Sequence, residues 1–328
     1  MANIQHVFDS FEKLKVLIIG DVMIDSYIWG KVNRISPEAP VPIVNVQTRE
    51  KRLGGAANVA LNVKALGAHP ILCSVVGDDS ESQTLNELIS DQFITGKGII
   101  KSAERVTTIK HRVLAGSQHM MRIDSEIDTP ISKHDAERLI EKATTLMDGV
   151  HVIIFEDYDK GVLTNEVISE IIHQAKKRGI PTVVDPKKRN FLAYEGCSLF
   201  KPNLKELKEG LKIDMRNKVE EVKFAVRQLR NVMNVDAALI TLSENGVYIT
   251  DYMDEHHIPA HKREISDVSG AGDTVVSIAA LCLAAGLSLP QVAGIANLGG
   301  GLVCEHLGVV PIEKDRLLEE AMKHYEDR

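Results

Sequence analysis

The chain has 328 residues, a formal net charge of −7, 44% hydrophobic and 26% charged residues. That is ample for a large folded core and excludes a disordered chain, while the negative balance argues against a broad surface for nucleic acid or anionic membrane and leaves room for a local basic pocket. Cys73, Cys197, Cys282 and Cys304 show no C-x-x-C spacing, so they read as buried thiols in a reducing compartment and not as a disulfide framework or zinc site.

The N-terminus, MANIQHVFDSFEKLK, is polar and mixed in charge, unlike a signal peptide, and no run approaches the ~18 apolar residues of a membrane span. A cytoplasmic protein without membrane or nucleic-acid partners is expected. Lys15–Gly20 and Ile71–Val76 read as buried strands flanking a helix over Ala56–Leu66. The strand His151–Phe155, the helix Thr164–Arg178 and the strand Pro181–Asp185 follow. Next come the strand Ser198–Lys201, the helix Val219–Met233 and the strand Ala237–Thr241, and from Gly272 onward the pattern is nearly all helical. Strands alternating with helices predict an α/β fold, a doubly wound and mostly parallel sheet with helices on both faces.

Two segments break this rhythm. Residues 27–52 carry Pro37, Pro40 and Pro42 beside the alternating Ile43–Val46, which reads as an edge strand. Residues 106–124 read as a hairpin joined near Gly116. Together they predict a small β-sheet lid standing off a single domain that spans 1–328.

The strongest chemical signal is Asp267-Val268-Ser269-Gly270-Ala271-Gly272-Asp273, followed by an apolar helix. Small residues at 270–272 let backbone N–H groups converge at a helix N-terminus, where the dipole favours an anion such as a phosphoryl group in transfer. Asp273, expected one residue inside that helix, is placed to take a proton from an attacking hydroxyl. The run Gly54-Gly55-Ala56-Ala57-Asn58 also enters a helix, with glycines for close approach of a ligand and an amide that both donates and accepts. Asp21 and Asp25 follow the first strand, where open α/β sheets bind ligands, and suit polyol recognition or merely a solvated turn. Asn203 and Glu206 share one face of a starting helix; they suit water-mediated Mg²⁺ binding and equally a plain capping box.

Several common signatures are missing: the G-x-x-x-x-G-K-[ST] loop, G-x-G-x-x-G, H-E-x-x-H and G-x-S-x-G. His256-His257 reads as part of a surface hairpin.

The Gly54–Asn58 and Asp267–Asp273 motifs, in this order and spacing, resemble the two signatures of the PfkB-type, ribokinase-like carbohydrate kinases, over essentially the whole chain. The resemblance implies a Mg·ATP-dependent sugar kinase in which Asp273 is the base and Gly270, Ala271 and Gly272 form the anion hole. It places Asn203 and Glu206 near Mg²⁺ and phosphate. The nucleotide would be bound at Thr241–Gly246, where Ser243 replaces a family glycine and Gly246 is kept, with Asn297 counted in the same set. The runs Gly20–Asp25 and Arg34–Pro42 (RISPEAPVP), with Asp157-Tyr158, Lys160-Gly161 and Asp185-Pro186-Lys187, look like the heptose-7-phosphate kinase branch. Glu156 departs from that branch by standing where a small residue is commoner, and Lys188-Arg189 replace a glycine-led stretch.

The implied reaction phosphorylates the anomeric hydroxyl of D-glycero-D-manno-heptose 7-phosphate to the 1,7-bisphosphate, on the way to ADP-heptose. Asp21, Asp25, Gly54, Gly55, Asn58 and Asp157 would hold the sugar. Lys160, Lys187 and Arg112 would hold its 7-phosphate, across the pocket from Asp273. Ribose, fructose and 2-keto-3-deoxygluconate stand as alternative substrates, and a non-catalytic sensor as an alternative role. The adenylyltransferase to which many relatives are fused is not expected within these residues, and a homodimer paired through the lid is.

Overall fold

The computed structural model describes residues 3–116 and 118–326. Met1, Ala2, Ser117, Asp327 and Arg328, which the expected domain and hairpin ranges include, lie outside the described residues. The strands are β1 (Lys15–Gly20), β2 (Val22–Ile35), β3 (Pro42–Gly55), β4 (His69–Gly77), β5 (Thr95–Ser102), β6 (Ile109–Ala115), β7 (Gln118–Ser125) and β8 (Val152–Glu156). They continue as β9 (Thr182–Asp185), β10 (Leu199–Phe200), β11 (Ala237–Thr241), β12 (Val247–Thr250) and β13 (Glu255–Ile258). The helices are α1 (Ile4–Ser10), α2 (Ala56–Ala65), α3 (Ser80–Asp91), α4 (Lys133–Leu146), α5 (Asn165–Lys177), α6 (Leu204–Leu211), α7 (Val219–Val232), α8 (Ala271–Ala284), α9 (Leu289–Val303) and α10 (Lys314–Glu326).

Nine strands form one sheet in the order β13-β12-β11-β10-β9-β8-β1-β4-β5, parallel except for the β12–β13 hairpin at one edge. His256 and His257 lie on that hairpin and are exposed, as expected. Both faces of the sheet are covered, which explains why its strands read as unbroken apolar runs. Val16, Ile18, Val152 and Ile154 point into one core, built with α2, α8 and α9. Leu17, Ile19, Ile153 and Phe155 point into the other, built with α4, α5 and α7. Chain order reverses between β1 and β8: from β1 it runs to β4 on one side, and from β8 to β9 on the other. Such a switch point opens a crevice at the carboxyl ends of the strands.

The two irregular segments do form a separate four-stranded sheet, order β3-β2-β6-β7, with β3 and β7 at its edges. Its strands are longer than the prolines suggested. The segment expected at 27–52 runs from Val22 to Gly55, with Pro37 and Pro40 in the turn and Pro42 opening β3, where no ladder partner is lost. Asp25 therefore lies within a strand, opposite Arg52 and Lys110, and not in a turn after β1. Helices α3 and α4 had no counterpart in the sequence reading, yet their N-cap residues Asp79 and Ser132 accept hydrogen bonds from Ser82 and Asp135.

Candidate active site

The crevice collects charged residues because parallel strands in register end level with one another. Gly20 pairs with Glu156 across β1 and β8, and Glu156 with Asp185 across β8 and β9. Glu156 and Asp185 are thus neighbours at the end of the sheet, both buried. Helix α8 points its N-terminus at the same place. Gly270 caps it at φ +79°, a conformation costly for a residue with a Cβ. Asp273 is the third helical residue, not the second, because Ala271 already belongs to the helix.

Asp273 is buried and held from two sides. Asn58 Nδ2 donates to its Oδ2 at 2.7 Å, and the Tyr158 hydroxyl donates to its Oδ1 at 2.9 Å. Burial pushes its carboxyl up to about 6, while the Asn58 hydrogen bond pulls the other way and the Asp185 charge adds to the rise. A carboxylate so tuned can receive a proton from a hydroxyl. Asn58, expected among the sugar ligands, spends its amide N–H on this carboxylate, while its Oδ1 has no partner among the described residues.

The two glycines before α2 are explained by contact. A Cβ on Gly54 would stand 2.5 Å from Asp25 Oδ2, and one on Gly55, at φ +58°, 2.4 Å from the Asp21 carbonyl oxygen. Backbone and acidic residues are pressed together here.

The carboxylates expected to be free are largely engaged. Asp21 Oδ2 accepts the Tyr158 and Lys160 amides at 2.8 and 3.1 Å, and its Oδ1 accepts the Val162 amide at 3.1 Å. Burial raises the Asp21 carboxyl to about 6 and the Asp157 charge adds to this, against the pull of those amides. Asp157 turns toward Asn190 and Tyr194, at 3.0 and 2.7 Å, and accepts the Asp159 amide. Both residues anchor the loop after β8. Asp25 pairs with Arg112, and Tyr27 lies beneath the guanidinium groups of both Arg112 and Arg52.

The cations divide into two groups, which corrects the expectation that all three face Asp273 across the pocket. Lys187 stands on the side of Asp273. Its Nζ is 2.6 Å from Glu206 and 3.7 Å from Asp185, and it sits 5.2 Å from the centre of the Tyr158 ring. Burial alone would lower its ammonium, but the Asp185 and Glu206 charges more than reverse this and push it up. Arg112 belongs to the small sheet, and Lys160 meets Glu126 at 2.7 Å; Lys110, two residues before Arg112 on β6, reaches the same Glu126 at 2.6 Å.

Asn203 and Glu206 form a complete capping box at α6: the Asn203 side chain accepts the Glu206 amide at 2.9 Å and Glu206 accepts the Asn203 amide at 2.8 Å. Asn203 also bridges to Thr241, so this motif and the Thr241–Gly246 turn are brought together. Ser243 adopts φ +53°, keeping the left-handed turn in spite of its side chain, and Gly246 packs its backbone against Ile258 and Ala260. Asn297 donates to the Pro259 carbonyl at 2.9 Å and braces α9 against the exit from β13.

Four residues had no assigned role in the sequence reading: Tyr158, Asp185, Lys201 and Lys110. Lys201 is 2% exposed and reaches Asp185 at 2.9 Å. Asp185 ends β9, Lys201 follows β10 and Tyr158 lies two residues beyond β8, so the rule that ligands gather at strand ends would have found all three.

Comparison with known proteins agrees with this geometry. The chain is 37% identical over 324 residues to the bifunctional protein HldE of Syntrophotalea carbinolica, covering 98% of this chain and 66% of that one. It is 39% identical over 319 residues to HldE of Methylobacillus flagellatus, covering 97% and 65%. The chain thus spans about two thirds of the length of these relatives. Its fold is similar to phosphofructokinase-2 from Escherichia coli in complex with potassium, with TM-score 0.78, 19% identity, and 96% of this chain and 99% of that one covered. It is also similar to ribokinase from Arabidopsis thaliana complexed with ribose and ATP, with TM-score 0.71, 16% identity and coverages of 93% and 99%. The fold is ribokinase-like. Among the described residues no helix is long and apolar enough to cross a membrane. Residues 13–315, which take in every strand of the large sheet and the helix bearing Asp273, match the model of the pfkB family of carbohydrate kinases, and the chain belongs to that family.

Proposed function

We propose that this sugar kinase transfers the γ-phosphoryl group of ATP to the anomeric hydroxyl of D-glycero-D-manno-heptose 7-phosphate. The observation that carries the reading is Asp273, fixed by Asn58 and Tyr158 at the N-terminus of α8. Similarity to HldE over nearly the whole chain supports the choice of sugar. The hydroxyl oxygen attacks the γ-phosphorus, its proton passes to Asp273, and ADP leaves. The amides of residues 270–272 receive the negative charge on the equatorial oxygens in transit. The nucleotide lies along Thr241–Gly246, with Asn297 bracing that side. Mg²⁺ bound with the nucleotide would stand beside Asp185, whose buried Oδ1 has no hydrogen-bond partner among the described residues, with Asn203 and Glu206 acting through water; it would neutralise phosphate charge.

The substrate's own phosphate is assigned to the small-sheet side, to Arg112, Lys160 and Lys110. Lys187, beside Glu206 and Asp185, is assigned to the nucleotide side instead. Charge-assisted contacts to phosphate are each worth about 1.5–3 kcal/mol. Arg112→Met is therefore expected to raise KM for the sugar phosphate roughly tenfold or more and to leave KM for ATP nearly unchanged. The defining assay couples ADP release to heptose 7-phosphate, unphosphorylated heptose, fructose and ribose. Turnover confined to the 7-phosphate supports the reading; faster turnover of an unphosphorylated sugar overturns it.

The small sheet exposes Ile35, Val46, Met121 and Ile123, with Val41 exposed in the β2–β3 connection, and an exposed apolar sheet with open edges requires cover. We assign that cover to a second copy, which makes the sheet both lid and dimer interface. Ile123→Asp is expected to shift the protein from dimer to monomer in sedimentation velocity. A wild-type chain that is monomeric at tens of micromolar would remove this assignment.

A further inference from the structure

The chain passes between the large and the small sheet four times. It crosses at Asp21 between β1 and β2, at Gly55-Ala56 between β3 and α2, at 103–108 between β5 and β6, and at 126–132 between β7 and α4. Movement of one sheet against the other is absorbed at such element ends, because ladders hold the strands on either side. Arg105 lies in the third crossing and is 9% exposed. Among the described residues its guanidinium meets three backbone carbonyls: Nη1 donates to Thr129 at 2.7 Å, and Nη2 to Ile127 at 3.1 Å and to Lys160. Two of these bonds join the third crossing to the fourth. The other reaches the loop after β8.

That loop is bound to the remaining crossings through Asp21. The Asp21 carboxylate accepts the Tyr158, Lys160 and Val162 amides, and its carbonyl accepts the Ala56 amide at 3.0 Å. Lys160 is thus gripped from both sides, its amide by an anion and its carbonyl by a cation. Packing is equally close: a Cβ on Gly161, at φ +86°, would stand 2.0 Å from the Thr129 carbonyl oxygen, and the Gly161 carbonyl accepts the Ile131 amide at 3.0 Å. From the same loop, Tyr158 reaches Asp273. We propose that Arg105 is a positioning residue for phosphoryl transfer: it clamps the loop 158–162 to the sheet crossings and so ties the Tyr158 contact on Asp273 to the placement of the small sheet. This role presupposes Asp273 as the base.

A merely structural staple accounts for less. A buried guanidinium bonded to neutral carbonyls is a costly way to fasten two segments. Burial lowers its proton affinity, Asp21 is the foremost of the charges that offset this, and its Nε has no partner among the described residues. Asp79 already fastens the third crossing, accepting the Thr107 amide at 2.8 Å. What Arg105 adds is a charged donor on the Lys160 carbonyl, opposite the Asp21 carboxylate on the amide of the same residue.

Arg105→Met keeps the apolar stem and removes the donors. It is expected to lower kcat roughly tenfold or more, with KM for ATP changed by no more than about twofold, because the base is misaligned and the nucleotide side is untouched. Tyr158→Phe should lower kcat in the wild type but by no more than about twofold further in the Arg105→Met background, since the contact is already lost there. Equal losses in both backgrounds, or an unchanged kcat in Tyr158→Phe, overturn the proposal. Native-state hydrogen exchange of the ligand-free wild type needs no folded variant. The Thr107, Ile131, Lys160 and Val162 amides should open together, with one common free energy. Separate opening of Thr107 and Ile131 from Lys160 and Val162 also overturns it. A failure of the base itself would show instead as undiminished turnover in Asp273→Asn, with the common opening unaffected.

Discussion

Asp273→Asn is expected to lower kcat by about 10²–10⁴-fold while the protein still folds and binds ATP. The asparagine fills the same space and can still accept from Asn58 or Tyr158, so the two contacts at 2.7 and 2.9 Å are not both lost. Only the capacity to take a proton disappears. The wild type should carry a matching pH signature. Burial raises the Asp273 carboxyl to about 6, and only the deprotonated form is a base, so activity should rise with pH through that value and level off above it. The raised value has the opposite sign for stability: the folded state binds this proton more tightly than the unfolded chain does, so Asp273 favours folding at low pH and loses that contribution as pH rises toward and past 6. A variant retaining more than about a third of wild-type kcat, with ATP affinity intact, would move the base elsewhere.

Lys201→Met should be the most damaging single substitution for stability in this crevice. The ammonium is 2% exposed and 2.9 Å from Asp185, and removing one member of a buried pair leaves the other charge uncompensated at a cost of about 3–5 kcal/mol. Lys187, at 3.7 Å on the other oxygen of Asp185, is already committed to Glu206 at 2.6 Å and offsets little of this. Urea unfolding should show the loss at pH 8 and a smaller one near pH 5.5. Burial raises the Asp273 carboxyl to about 6, so lowering the pH through this range protonates it and removes part of the negative charge that Lys201 had balanced. A loss below about 1 kcal/mol at pH 8 would show that the pair contributes no more than a solvent-exposed one.

What the sequence determined by itself was the set of features with local causes. Strands apolar on both faces, as in Lys15–Gly20, announce a covered parallel sheet because each side chain must find a core. Small residues before an apolar helix announce a helix N-terminus at 270–273, because Gly270 can take the positive φ that opens it. Only the tertiary structure decided which of the acidic and basic residues are available. Asp21 and Asp157 look free in sequence, but the loop after β8 folds back onto Asp21, and Asn190 and Tyr194 close on Asp157. Lys187 ends beside Glu206 and Asp185 and not across the pocket from Asp273, because a strand end fixes a residue's neighbourhood and not the direction of a long side chain. The carboxylate cluster depends on the register between β8 and β9 and on the angle at which α8 meets the sheet. Those are long-range pairings between segments that adjacent residues do not encode, and they bring Glu156 to Asp185 and Asp273 across about a third of the chain's length.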